Sequence, residues 1–168
     1  MNKKAQFDLI EIVITLITIA FLILIVILVN DKVTDVYKDK ITDTDSTAYK
    51  AIDKANTTFQ SGLDKLFVGI FIILLIGMVI LAFYIQASVL FLAIFILLTI
   101  ISTWFAAVIS NVYMTTEATG IFATALTYLP MQTFIMENLP LFVAGFGMVL
   151  LVITYAKNIA FGRVGIEP

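Results

Sequence analysis

Long apolar blocks alternate with one strongly polar segment along the chain. Residues 12–29 read IVITLITIAFLILIVILV, broken only by Thr15 and Thr18, whose hydroxyls can bond back to carbonyls of the preceding turn. At about 1.5 Å per residue, roughly 20 helical residues cross a hydrocarbon core of roughly 30 Å, so residues 9–29 suffice for a first membrane span. A secretory signal sequence is disfavoured, because the apolar stretch is long and no small-residue cleavage site follows it.

From Asn30 to Lys65 the pattern reverses. Lys32, Lys38, Lys40, Lys50, Lys54 and Lys65 mix with Asp31, Asp35, Asp39, Asp43, Asp45, Asp53 and Asp64. Val33, Val36, Tyr37 and Ile41, then Ala48, Ile52, Ala55, Phe59 and Leu63, recur at near-helical spacing, which predicts paired helical elements in water, broken around Thr42 to Ser46. Ser61 followed by Asp64 has the spacing of a capping box that opens the next helix.

No charged residue occurs between Leu66 and Thr116. One helix of that length would overshoot the bilayer, so two spans, Leu66 to Tyr84 and Val89 to Ser110, turn at Gln86 and Ser88 as a tight hairpin. Residues 111–138 hold Glu117 and Glu137 among threonines and apolar residues and read as a weakly amphipathic segment at the interface. Pro130 and Pro140 bracket a short helix there, since proline fits a first helical turn and discourages continuation. The last span is Leu139 to Ala156.

The predicted fold is therefore all-α: an integral membrane protein with four transmembrane helices, a polar helical segment after the first and an interfacial amphipathic segment before the last. Its segments are 1–29, 30–65, 66–110, 111–138 and 139–168. Lys3 and Lys4 before the first span and Lys157 and Arg163 after the last place both termini on the cytoplasmic or interior side, although the lysines of residues 30–65 count against this. Tyr84 and Tyr155 fall at the expected inner boundary, Tyr113 and Tyr128 at the outer one.

Composition narrows function by exclusion. The 168 residues are 61% hydrophobic and 13% charged, with mean hydropathy +1.08, far from the balance of a water-soluble globule. A net charge of −2 gives no basic excess for nucleic acid. The chain has neither cysteine nor histidine, which removes disulfides, the usual zinc sites and histidine acid/base chemistry. No nucleophile elbow, phosphate-binding glycine loop or paired intramembrane acids occurs, so an enzyme is disfavoured and neither cofactor nor metal is expected. Asp31, Asp35, Asp39 and Asp43 recur every fourth residue and could draw a divalent cation, but a solvated face among lysines explains them better.

What remains are contact surfaces. Gly69 and Gly77 share a face of the second span, Thr99, Thr103, Ala106, Ala107 and Ser110 one of the third, and Ala144, Gly145 and Gly147 one of the fourth; small residues permit close helix approach in lipid. Packing within the chain is their first explanation and an oligomer interface the second. Lys3, Lys4 and then Phe7-Asp8-Leu9-Ile10-Glu11 before a long apolar helix resemble the amino terminus of type IV pilin-like proteins. That resemblance implies cleavage before Phe7 and an assembly role for Glu11; a cut between Ala5 and Gln6, as in archaeal leaders, would shift Glu11 one place. The MNKKAQ start also resembles those of archaeal membrane proteins. The expected function is a non-enzymatic membrane component of a larger assembly, an envelope apparatus or viral membrane layer. Its partners would be the lipid bilayer, further copies of the chain or other membrane proteins. The alternative is a small oligomeric channel, holin-like or transport protein lined by Thr99, Ser102, Thr103 and Ser110.

Overall fold

The computed structural model describes residues 4–41, 43–84, 89–118, 120 and 122–160. All regular structure among them is helical: α1 (Lys4–Asp39), α2 (Thr47–Tyr84), α3 (Val89–Ala118), α4 (Ala123–Thr127), α5 (Pro130–Glu137) and α6 (Leu139–Ala160). Four of these, α1, α2, α3 and α6, are long and apolar enough to cross a bilayer, as the hydropathy pattern predicts. Many of their residues are β-branched, a poor choice for a helix in water. Lipid reverses that preference, because it offers the backbone no partner and each span must close its own hydrogen bonds.

The long helices alternate in direction. One end of the bundle collects the end of α1, the start of α2, the end of α3 and the start of α6; the other end collects both ends of the described chain. Leu16, Ala20, Ile23, Leu24 and Ile27 of α1 meet Phe67, Phe71 and Met78 of α2, Ala106 and Tyr113 of α3, and Val143 and Leu150 of α6 in one core. Outside it, Ile73 is 69%, Leu141 71% and Met148 70% exposed. Water would not tolerate so many open apolar side chains, whereas lipid is their matching solvent.

The polar segment is not a separate element. With 36 and 38 residues, α1 and α2 extend to about 54 and 57 Å, well beyond a hydrocarbon core of roughly 30 Å. Their polar ends therefore project together as a helical hairpin. The turn closes with Asp43, whose side chain accepts from the Asp45 N–H (2.9 Å), and with Ser46, whose hydroxyl accepts from the Tyr49 N–H (3.2 Å) and so caps α2. Ser61 opens no helix, because α2 is already four turns old there.

The described part of residues 111–138 contains the short helix expected from Pro130, α5, and two further helical pieces. The first residues of that part prolong α3 to Ala118, beyond the level at which α6 starts. Gly120, at φ 74°, adopts the left-handed conformation that side chains oppose, and the chain folds back through α4 and α5. The return is tied where the Ser110 hydroxyl donates to the Glu137 carbonyl (2.9 Å), after which α6 descends with Pro140 in its first turn. Tyr113 is not an interfacial anchor either: fully buried, it meets the Phe21 ring edge-on at 6.1 Å. Tyr155 does stand exposed near the end of α6.

Glycine usage separates packing inside the chain from free surface. A β-carbon on Gly147 would collide with the Thr99 methyl, so α3 and α6 touch at that point. The same addition at Gly62, Gly69, Gly77 or Gly145 meets nothing within 4 Å. Gly147→Ala is therefore expected to destabilise the bundle by about 1–3 kcal/mol, the usual cost of overpacking, with recovery in a Thr99→Ala background. Gly69→Ala should leave the monomer's stability nearly unchanged; detergent unfolding curves of the four variants measure all of this.

Candidate functional site

α5 begins with an electrostatic problem. Its N-cap position is Leu129, which has no side-chain acceptor, and Pro130 occupies the first helical position without an N–H. The N–H groups of Met131 and Gln132 are left facing the bundle interior. Asp64 of α2 answers them: one carboxylate oxygen accepts from Gln132 N–H at 2.8 Å and the other from Met131 N–H at 3.2 Å. An anion there also meets the positive end of the helix dipole. Asp64 is 5% exposed, so the carboxylate and the two amides satisfy each other out of water.

Gln132 carries the polar network further. It is fully buried, and its side-chain amide donates to the Ala20 carbonyl and to the Tyr113 hydroxyl, both at 3.1 Å. Ala20 lies ten residues before Asn30, the polar limit of α1, hence about 15 Å deeper along the helix. The glutamine thus crosslinks α5 to α1 and α3 well inside the apolar zone, where a mid-membrane amide needs such partners.

Above Asp64 the contacts between α1 and α2 continue toward water. The Gln60 and Asn56 side-chain amides donate to Asp31, the latter at 3.2 Å, and Asn30 donates to the Asn56 carbonyl oxygen. Near the tip Lys38 pairs with Asp53 and lies 5.0 Å from the Tyr49 ring centre. Asp31 is thereby drawn into the hairpin seam, whereas Asp35, Asp39 and Asp43 stay exposed, and α1 ends before Asp43. Among the described residues, no three acidic side chains converge on a possible metal position.

The residues singled out from the sequence are dispersed. Glu11 is exposed on α1; Gly69 and Gly77 are half-buried on α2; Ala107 on α3 and Gly145 on α6 are exposed. Thr99 and Thr103 donate back to Phe95 and Thr99 carbonyls, at 2.9 and 2.8 Å. Ser102 is buried with its hydroxyl unpartnered among the described residues, as are the side-chain carbonyl oxygens of Gln60 and Gln132. Thr99 is brought against Gly147, and Ser110 to the Glu137 carbonyl. Sequence reasoning missed Gln132 altogether; its one signal was a glutamine two residues after Pro130, between Met131 and Thr133.

No family model matches the chain, and neither a curated protein nor a solved structure is found that is similar to it.

The polar network is a set of crosslinks between helices, so its removal should loosen the bundle locally. Asp64→Ala leaves the buried Gln132 N–H and the part-buried Met131 N–H without their acceptor and is expected to cost about 1–3 kcal/mol, mostly at Gln132, in the absence of water entry. Hydrogen exchange at Met131 and Gln132 should rise strongly in that variant and only partly in Asp64→Asn, which keeps one oxygen. Unchanged protection at both amides would show that the carboxylate is not their acceptor.

Proposed function

We propose that this chain is a non-enzymatic integral membrane component of a larger assembly, acting through contacts between helices and through its projecting hairpin. The observation that carries this is the disposition of its polar chemistry. The buried carboxylate of Asp64 and the amide of Gln132 are occupied in holding helices together, while most of the other charges lie on the projecting hairpin of residues 30–65 and the rest near the helix ends and the termini. Such a molecule offers surfaces rather than a reaction centre. The resemblance of the amino terminus to pilin-like proteins supports the same reading through Glu11, which is exposed on α1. An envelope apparatus or a viral membrane layer is the setting that fits, with both termini on the cytoplasmic or interior side.

Extraction from the native membrane in a mild detergent, followed by mass spectrometry, should recover the chain with a reproducible set of companions or further copies. Recovery as a bare monomer overturns the proposal. Single cysteines read topology directly, because the chain has none of its own: Asp45→Cys is expected to label from outside and Gly165→Cys from inside. Labelling of both from one face would contradict a four-span path.

A small oligomeric channel is the second reading, and the Ser102 hydroxyl, buried with no partner among the described residues, favours it. It predicts ion conductance in liposomes that Thr99→Val or Thr103→Val abolishes.

A further inference from the structure

Two stripes on the outer surface of the α1–α2 pair have no occupant among the described residues. On α2, Ala48, Ile52, Ala55, Phe59, Gly62, Leu66, Gly69, Ile73, Ile76 and Ile80 alternate at spacings of four and three, the heptad period of helices that pack along their length. The stripe contains no charged or polar residue, although its first five members lie in the segment that carries Lys50, Asp53, Lys54, Asp64 and Lys65. Phe59 is 43% and Leu66 52% exposed, and Ala55 and Gly62 are exposed as well. On α1, Leu22, Val26, Val29, Val33 and Val36 follow the same alternation, and Val33 and Val36 are 48% and 57% exposed beyond Asn30. Lipid covers the lower half of each stripe. It cannot cover the upper half, which stands in water.

The stripes match each other in shape and height. Small residues recur on α2 every seventh position, at Ala48, Ala55, Gly62 and Gly69, and a β-carbon at Gly62 or Gly69 would meet nothing within 4 Å. Within the hairpin Asp31 sits level with Gln60 and Lys38 with Asp53, seven residues up one helix and seven down the other. The same register sets Val36, Val29 and Leu22 level with Ala55, Gly62 and Gly69. A bulky stripe and a notched stripe thus run antiparallel at equal heights on one molecule, both crossing from water into lipid.

Resting on the assembly reading above, we infer that the occupant is a second copy of this chain, related by a two-fold axis along the membrane normal, with α1 of each copy seated on α2 of the other. A rotation about that axis preserves height, so Val36, Val29 and Leu22 of one copy meet Ala55, Gly62 and Gly69 of its partner, twice over. The aqueous half supplies hydrophobic drive, and the notches allow the close approach that stabilises helices in lipid. A soluble partner would leave the lower stripe unmatched, and a wholly intramembrane one the upper.

The test uses the full chain in membranes, with Val36→Cys and Ala55→Cys carried on differently tagged copies. Mild oxidation is expected to give a covalent product of twice the chain mass bearing both tags, several-fold above that formed by Val36→Cys with Lys54→Cys, whose position lies off the stripe. A mixed product no stronger than this control, a Val36→Cys self-product that exceeds it, or an adduct of another mass overturns the inference. Gly62→Leu, which has room inside the monomer, should cut the mixed product several-fold while the unfolding transition of the dissociated chain stays in place; undiminished crosslinking would equally overturn it. If native extraction still returns companions when crosslinking fails, the two-fold pairing falls and the assembly reading stands. If the covalent dimer forms and nothing else co-purifies, the pairing stands and membership of a larger multi-protein assembly falls.

Discussion

A carboxylate buried at the edge of the membrane must be satisfied, and in this chain the Asp64 side chain is satisfied by the uncapped amides of one short helix. Either group alone would be costly. Unpaired, Asp64 would draw water into the bundle, and the α5 amides, preceded by a proline and a leucine that cannot cap them, would do the same. Together they form a charge-assisted clamp between residues nearly seventy positions apart. The clamp explains why α4 and α5 fold back against the bundle, and why α6 starts lower than α3 ends. Gln132 then extends from the clamp to Ala20 and Tyr113, so a single short helix locks α1, α2 and α3.

The four spans were legible because solvation forces them: a run without charge as long as a bilayer is thick has no other stable home. Pro130 and Pro140 likewise marked helix starts, because the missing N–H of proline is harmless only there. What could not be read was pairing over distance. Ser61 and Asp64 have the local spacing of a capping box, yet helix α2 starts at Thr47, and the Asp64 carboxylate caps a helix far along the chain. Local spacing carries no information about which donor a side chain will meet. Tyr113 failed for a related reason. A tyrosine at a span's end suits the interface or a buried hydrogen bond equally well, and only the position of Gln132 decides between them. The glycines show the same limit, since Gly145 and Gly147 are near neighbours in sequence but only Gly147 sits under Thr99.

The hairpin exposes α1 and α2 to two solvents, and each solvent makes different parts of the pattern informative. In lipid almost any apolar face is acceptable, so Ile73, Ile76 and Ile80 say little about packing. In water an uncharged face is conspicuous, and Ile52, Ala55 and Phe59 mark one between lysines and aspartates. Because the heptad spacing passes without a break from the second region into the first, the aqueous residues give direction to the membrane residues below them. The polar contacts of Lys38, Asp53, Asn56 and Gln60 hold the two helices in a fixed register, which keeps both stripes aligned across the boundary.

The clamp and the stripes are two consequences of how α2 is turned about its own axis. Rotating an all-apolar helix in lipid changes its free energy little, because every face presents similar side chains to similar surroundings. Rotating α2 would carry Asp64 out of the α5 amides and toward hydrocarbon, where a carboxylate costs several kcal/mol. Gln60, one turn above and also directed inward, opposes the same rotation. The azimuth of α2 is therefore set by its two buried polar side chains rather than by its many apolar ones. With those side chains facing inward, Ala55, Phe59, Gly62, Leu66 and Gly69 must face outward. In this bundle, then, it is the inward-facing charge that determines which apolar surface the molecule presents.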